Sequence, residues 1–146
     1  MKGLMCATVL AVVMAAAQPA TAGQGQSDEA AARVPLENYL KGHATGDGAF
    51  MRLAFHPDAK ICATTKGTWT CRTAEEFAGF FRGTPAPDEA QRKRTIESIT
   101  LTGDVGVAKI ILDYPTVKFT DYMSLARING EWKIYNKVYF AEPKAR

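Results

Sequence analysis

The 146-residue sequence has little of what a motif-borne enzyme or a nucleic-acid binder needs. It holds 2 histidines and 3 cysteines, and no nucleophile elbow, phosphate-cradling glycine loop, HExxH helix or metal-ligand spacing. His56-Pro57-Asp58 follows a helical stretch and reads as a turn, with no third ligand near it for a metal. The charge of one sign is also scarce. Net charge is +3 and its sources are interspersed. The densest basic run, Gln91-Arg92-Lys93-Arg94, opens a strand beside Pro85 and Pro87, so it reads as a solvated strand start rather than a nucleic-acid face. No repeat or low-complexity block occurs. The one long apolar run, Gly3 to Ala17, falls short of the ~20 residues a membrane span requires.

What that run does fit is a signal peptide. Lys2 supplies the positive start, and Ala20-Thr21-Ala22 supplies the small-x-small cleavage pattern. Residues 1–22 therefore read as a secretory signal, 23–31 as a flexible polar leader, and 32–146 as one domain with a single core. The expected location is periplasmic or secreted. Two cysteines remain after cleavage, in KICATTKGTWTCR. With Lys66-Gly67 as a two-residue turn, Cys62 faces Cys71 in a non-hydrogen-bonded pair, close enough to bridge. A disulfide is the expectation in an oxidising compartment; two free thiols are the alternative, and two soft ligands make a poor metal site.

Periodicity places helices first and strands after. Leu36, Tyr39, Leu40 and His43 recur on one helical face, with Pro35 fitting the first turn, or with the helix extending upstream through Glu29 to Arg33. Gly46 and Gly48 break that helix, and a short one over Ala49 to Phe55 stops at Pro57. After the cysteine hairpin, Thr73-Ala74-Glu75-Glu76 forms a capping box for a third helix with Phe77, Phe80 and Phe81 as its buried stripe. The remainder is a meander: 94–102 and 105–114 joined at Gly103-Asp104, then 117–128 and 131–140 joined at Asn129-Gly130. The class is α+β, three helices packed against a strongly curved antiparallel sheet.

The last hairpin raises the chemical question. Counting out from Asn129-Gly130 puts Val117, Phe119, Asp121, Met123 and Leu125 on one face, with Trp132, Ile134, Asn136, Val138 and Phe140 across from them. That is the core face. Lys133, Tyr135, Lys137 and Tyr139 fall on the other. Asp121 thus points inward, opposite Val138, with Asn136 as its diagonal neighbour. A buried carboxylate needs a donor or a wet cavity. It either fixes the fold through a hydrogen bond or sits at the base of a pocket as an acceptor or general base.

Taken together, YLKGHATGDGAFMRLAFHPDAKI, TAEEFAGFF, SITLTGDVGVAKIILDYP and FTDYMSLARINGEWKIYNKVY resemble the putative lumazine-binding family of the nuclear transport factor 2-like (SnoaL-like, cystatin-like) superfamily. The resemblance spans about residues 34–143. It implies a cone: helices over a bent sheet, with a cavity between them. It points to Tyr39, His43, Phe119, Asp121, Met123, Trp132 and Asn136 as cavity lining, with Trp69 from the side. Relatives of this superfamily include isomerases, cyclases and dehydratases as well as binding and dimerising domains, so fold leaves function open. Three readings follow. The first is an exported domain binding a small apolar or aromatic ligand without a cofactor. The second is an isomerase-, cyclase- or dehydratase-type enzyme with Asp121 as base and Tyr39 or His43 as donor. The third is a homodimer through the outer sheet face, where Tyr135, Lys137 and Tyr139 are expected, with a vestigial pocket.

Overall fold

The computed structural model describes residues 22–145; the signal segment, Ala22 apart, lies outside them. Helix α1 spans Ala22–Thr45, α2 Gly48–Ala54 and α3 Ala74–Ala78, with a 3-10 turn η1 at Glu89–Gln91. The strands are β1 Phe55–Thr65, β2 Thr68–Thr73, β3 Lys93–Thr102, β4 Val105–Asp113, β5 Val117–Ile128 and β6 Glu131–Pro143. They form one six-stranded sheet in the order β2-β1-β6-β5-β4-β3. The α+β class holds, with one addition: β1 lies parallel to β6, so the sheet is mixed at that junction.

Local chemistry explains the punctuation. Asp47 caps α2 by accepting from the Ala49 N–H at 2.8 Å, and Thr73 with Glu76 closes the expected capping box on α3. Between α1 and α2, Gly46 adopts φ +66°, and a Cβ there would lie 2.0 Å from the Thr84 carbonyl oxygen. Only glycine lets the two segments meet. Lys66-Gly67 and Asn129-Gly130 all have positive φ, as tight hairpin turns require.

Several expectations change. Pro35 lies within α1, because the helix extends back through 23–31, the stretch expected as a flexible leader. Asp28 in that stretch pairs with Arg127 at 2.7 Å. Of the phenylalanine stripe on α3, Phe77 and Phe81 pack on the core but Phe80 is exposed, since α3 has already ended at Ala78. The cysteine expectation holds: Cys62 and Cys71 face each other across β1–β2 and are bonded.

The largest change lies between β5 and β6. The register follows the turn from Ile128–Glu131 to Leu125–Ile134, and then Ser124 pairs with Asn136. Tyr135 is the extra residue of a β-bulge. Beyond it every side chain of β6 changes face. Lys137 and Tyr139 turn inward, while Asn136, Val138 and Phe140 turn outward. The core inside the sheet is built from Leu36 and Tyr39 of α1, Met51 of α2, Phe55 and Ile61 of β1, Ile110 and Leu112 of β4, Met123 of β5 and Ile134 of β6.

Candidate functional site

Three polar side chains meet inside that core. The Tyr39 hydroxyl donates to Asp121 Oδ2 at 2.6 Å, and Lys137 Nζ donates to the Tyr39 oxygen at 2.8 Å. Lys137 Nζ also lies 3.5 Å from Asp121 Oδ1, an ion-pair contact rather than a short hydrogen bond. Tyr39 and Asp121 are fully buried and Lys137 is 4% exposed. Each comes from a different element, and each is placed by the patterns above. Tyr39 occupies the core stripe of α1, Asp121 the inward face of β5 between Phe119 and Met123, and Lys137 the face that the bulge turns inward.

Aromatic rings enclose the ammonium. Nζ lies 4.6 Å from the Tyr139 ring centre, 4.9 Å from Phe77 and 5.0 Å from Tyr39. Phe77 and Tyr139 are only partly buried, while Lys137 itself is buried beside them. Burial lowers the Lys137 pKa, against the opposing pull of Asp121. Burial, followed by the Asp121 charge, holds the Tyr39 hydroxyl well above its usual value, so it stays protonated and donates.

His43 packs edge-on to Tyr39 at 4.7 Å and to Phe81 at 5.0 Å. Its Nε2 is sealed from solvent without a hydrogen-bond partner. Burial first, then the charges of Lys137, Arg94 and Arg92, push its pKa well below the usual histidine value. Arg94 closes this end of the interior. It holds Glu89 at 2.6 Å, donates to the His43 carbonyl at 3.3 Å and to the Tyr114 hydroxyl at 3.2 Å.

Of the residues expected at the cavity, the structure gathers Tyr39, Asp121, Phe119, Met123 and His43. The others are elsewhere. Asn136 faces out and accepts from the Lys60 N–H at 3.3 Å. Trp69 is 57% exposed on β2. Trp132 is buried but stands further along β6, where it lines a separate 250 Å³ groove with Val34, Pro35 and Leu53. Lys137, expected outside, is the missing partner of Asp121. It occupies the diagonal position that an unbulged ladder assigns to Asn136. The available signal was electrostatic: an inward carboxylate asks for a cation, and Lys137 was the nearby one. Among the described residues, no three His, Cys, Asp or Glu side chains converge to hold a metal, and no helix is long and apolar enough to cross a membrane.

Helices packed on a six-stranded, mostly antiparallel sheet, with a tyrosine, an aspartate and a lysine buried together, make an α+β domain with a polar interior. Residues 27–140 match the family described as "Putative lumazine-binding", and the chain belongs to that family. It is similar to an NTF2-like protein of unknown function from Shewanella baltica OS155 (TM-score 0.74, 25% identity, 86% of this chain and 100% of that one). It is also similar to one from Silicibacter pomeroyi DSS-3 (TM-score 0.70, 19% identity, 81% and 98%), which speaks to the fold alone. Among curated proteins, "Aldolase FrzH" from Cladobotryum sp is 20% identical over 106 residues, 73% of this chain and 85% of that protein.

Proposed function

We propose that this protein is an exported small-molecule-binding domain whose ligand occupies the space between α1, α3 and the inner sheet face, with Lys137, Tyr39 and Asp121 as its polar end. The observation that carries this is the burial of all three together amid aromatic rings. A buried ion pair adds little stability over an apolar replacement, so packing alone gives weak reason to keep it. A recognition role gives a better one: the rings offer apolar area and the ammonium a fixed donor for a ligand oxygen. The ligand class is an apolar or aromatic compound carrying a carbonyl or similar acceptor. The family description and the name of the Cladobotryum relative both favour such a compound. The Cys62–Cys71 bond supports export.

A role for Asp121 as a base acting directly on the ligand has less support, because both its oxygens face Tyr39 and Lys137 and no part of it meets solvent. The test is a thermal-shift screen of lumazine, aromatic ketones and polyketide-like compounds on wild type, Asp121→Asn and Lys137→Met. A ligand that raises the wild-type Tm and loses its effect in both variants supports the reading. A panel that shifts none of the three proteins sinks it.

A homodimer through the outer sheet face has its own support. Val105, Val107, Tyr122, Val138 and Phe140 are all exposed there on three adjacent strands. Sedimentation of wild type and Tyr122→Glu tests it: a dimer that becomes monomeric in the variant is expected, and a monomeric wild type at high concentration contradicts it.

A further inference from the structure

We propose that Lys137 is a nucleophilic amine that captures an aldehyde or ketone as a Schiff base, with Tyr39 and Asp121 moving the protons. The inference rests on the interior taking a carbonyl ligand, as proposed above, and adds a covalent step to it. Geometry carries it. Tyr39 oxygen lies 2.8 Å from Nζ and 2.6 Å from Asp121 Oδ2, so one hydroxyl links amine to carboxylate in a continuous hydrogen-bonded chain. Beside these polar partners the amine is walled by aromatic rings, of which Phe77 and Tyr139 are partly exposed. Desolvated lysines in such settings are the ones that form Schiff bases. Burial lowers the Lys137 pKa in the same direction.

The steps balance without any oxidant or metal. The ammonium of Lys137 gives one proton to the Tyr39 oxygen as Tyr39 passes its own to Asp121, leaving a neutral amine and a neutral acid. The Nζ lone pair forms a bond to the carbonyl carbon while the π pair moves to oxygen. That oxygen takes the second amine proton, giving a carbinolamine. Asp121 returns its proton through Tyr39 to the carbinolamine hydroxyl, the C–O bond breaks, and water leaves. The nitrogen lone pair closes the C=N bond, giving a protonated Schiff base beside the restored carboxylate. Lysine ammonium and carbonyl have become iminium and water.

His43 faces the same interior from α1, with its ring 4.7 Å from Tyr39. Burial and the charges of Lys137, Arg94 and Arg92 favour its neutral form, so it adds no competing positive charge.

The test uses the wild-type chain at pH 7 with benzaldehyde and cyanoborohydride, mapping benzylated lysines by peptide mass spectrometry. Lys66 and Lys93, both exposed, serve as internal references. Lys137 should be benzylated ahead of both references, because burial favours its free amine. Tyr39→Phe, which keeps the amine, should slow that labelling while leaving Lys66 and Lys93 unchanged. A parallel arm uses benzyl alcohol, which cannot form a Schiff base. If benzyl alcohol raises the Tm but Lys137 is not preferentially benzylated, the pocket stands and the amine chemistry is overturned. If neither probe has any effect, both are overturned.

Discussion

Replacing Lys137 with Met separates the bulged register from an unbulged one. In an unbulged ladder Lys137 would share the solvated face with Lys133, and its loss would cost within about 0.5 kcal/mol, as at other surface sites. In the structure it is 4% exposed and paired with a fully buried Asp121. Removing it strands that carboxylate with Tyr39 as its remaining side-chain donor. Breaking a buried pair in this way costs about 3–5 kcal/mol, which for a domain of this size is a fall in Tm of ~10 °C or more. Asp121→Asn should also destabilise, by less, because the buried amine can shed its proton where the carboxylate cannot easily gain one. The double variant Asp121→Asn/Lys137→Met removes both charges and should recover part of the loss, so the cycle closes with a coupling of about 2–3 kcal/mol. Urea titration at pH 7 measures all four proteins. A Lys137→Met chain as stable as wild type, with effects that simply add, would refute the inward lysine and with it the cluster.

Two further outcomes follow. His43 has a folded pKa well below its ordinary value, so the unfolded chain takes up a proton first as pH falls. Stability should therefore decline as pH drops through about 6.5, and His43→Phe, which keeps the ring contacts with Tyr39 and Phe81, should flatten that decline in a Tm-versus-pH series. Cys62→Ala/Cys71→Ala opens a loop of sequence separation 9 and should cost about 2–3 kcal/mol by loop entropy, measured by urea unfolding with and without reductant.

How much of this was legible in the sequence depended on range. The turns at Lys66-Gly67 and Asn129-Gly130 demand positive φ, the Thr73–Glu76 box satisfies its own helix end, and the cysteines pair across a turn four residues away on each side. Each signal is local, and each element followed. Asp121 was legible as inward because the register holds from the turn as far as Leu125. Its partner was not. A single extra residue at Tyr135 swaps Asn136 for Lys137, and the apolar Val138 and Phe140 argued for the unbulged ladder. They are instead exposed, where their character suits an outer sheet face. On its other side β6 pairs in parallel with β1, whose register also shifts, between Phe55 and Lys60, and no short stretch of sequence encodes that long-range pairing. Trp69 was misplaced for a related reason: alternation alone does not tell which strand pair the helices cover.

The central claim is that a small molecule reaches the interior beside Lys137, and Met123 reports on it directly because it pairs with Lys137 across β5 and β6 and faces the same core. Methyl-labelled methionine spectra, with Met123 assigned through Met123→Leu, should show its methyl resonance shifting saturably during titration with benzyl alcohol, and not in Lys137→Met. A Met123 signal that stays fixed while benzyl alcohol perturbs the Trp132 indole would put binding in the Val34–Leu53 groove and contradict the account.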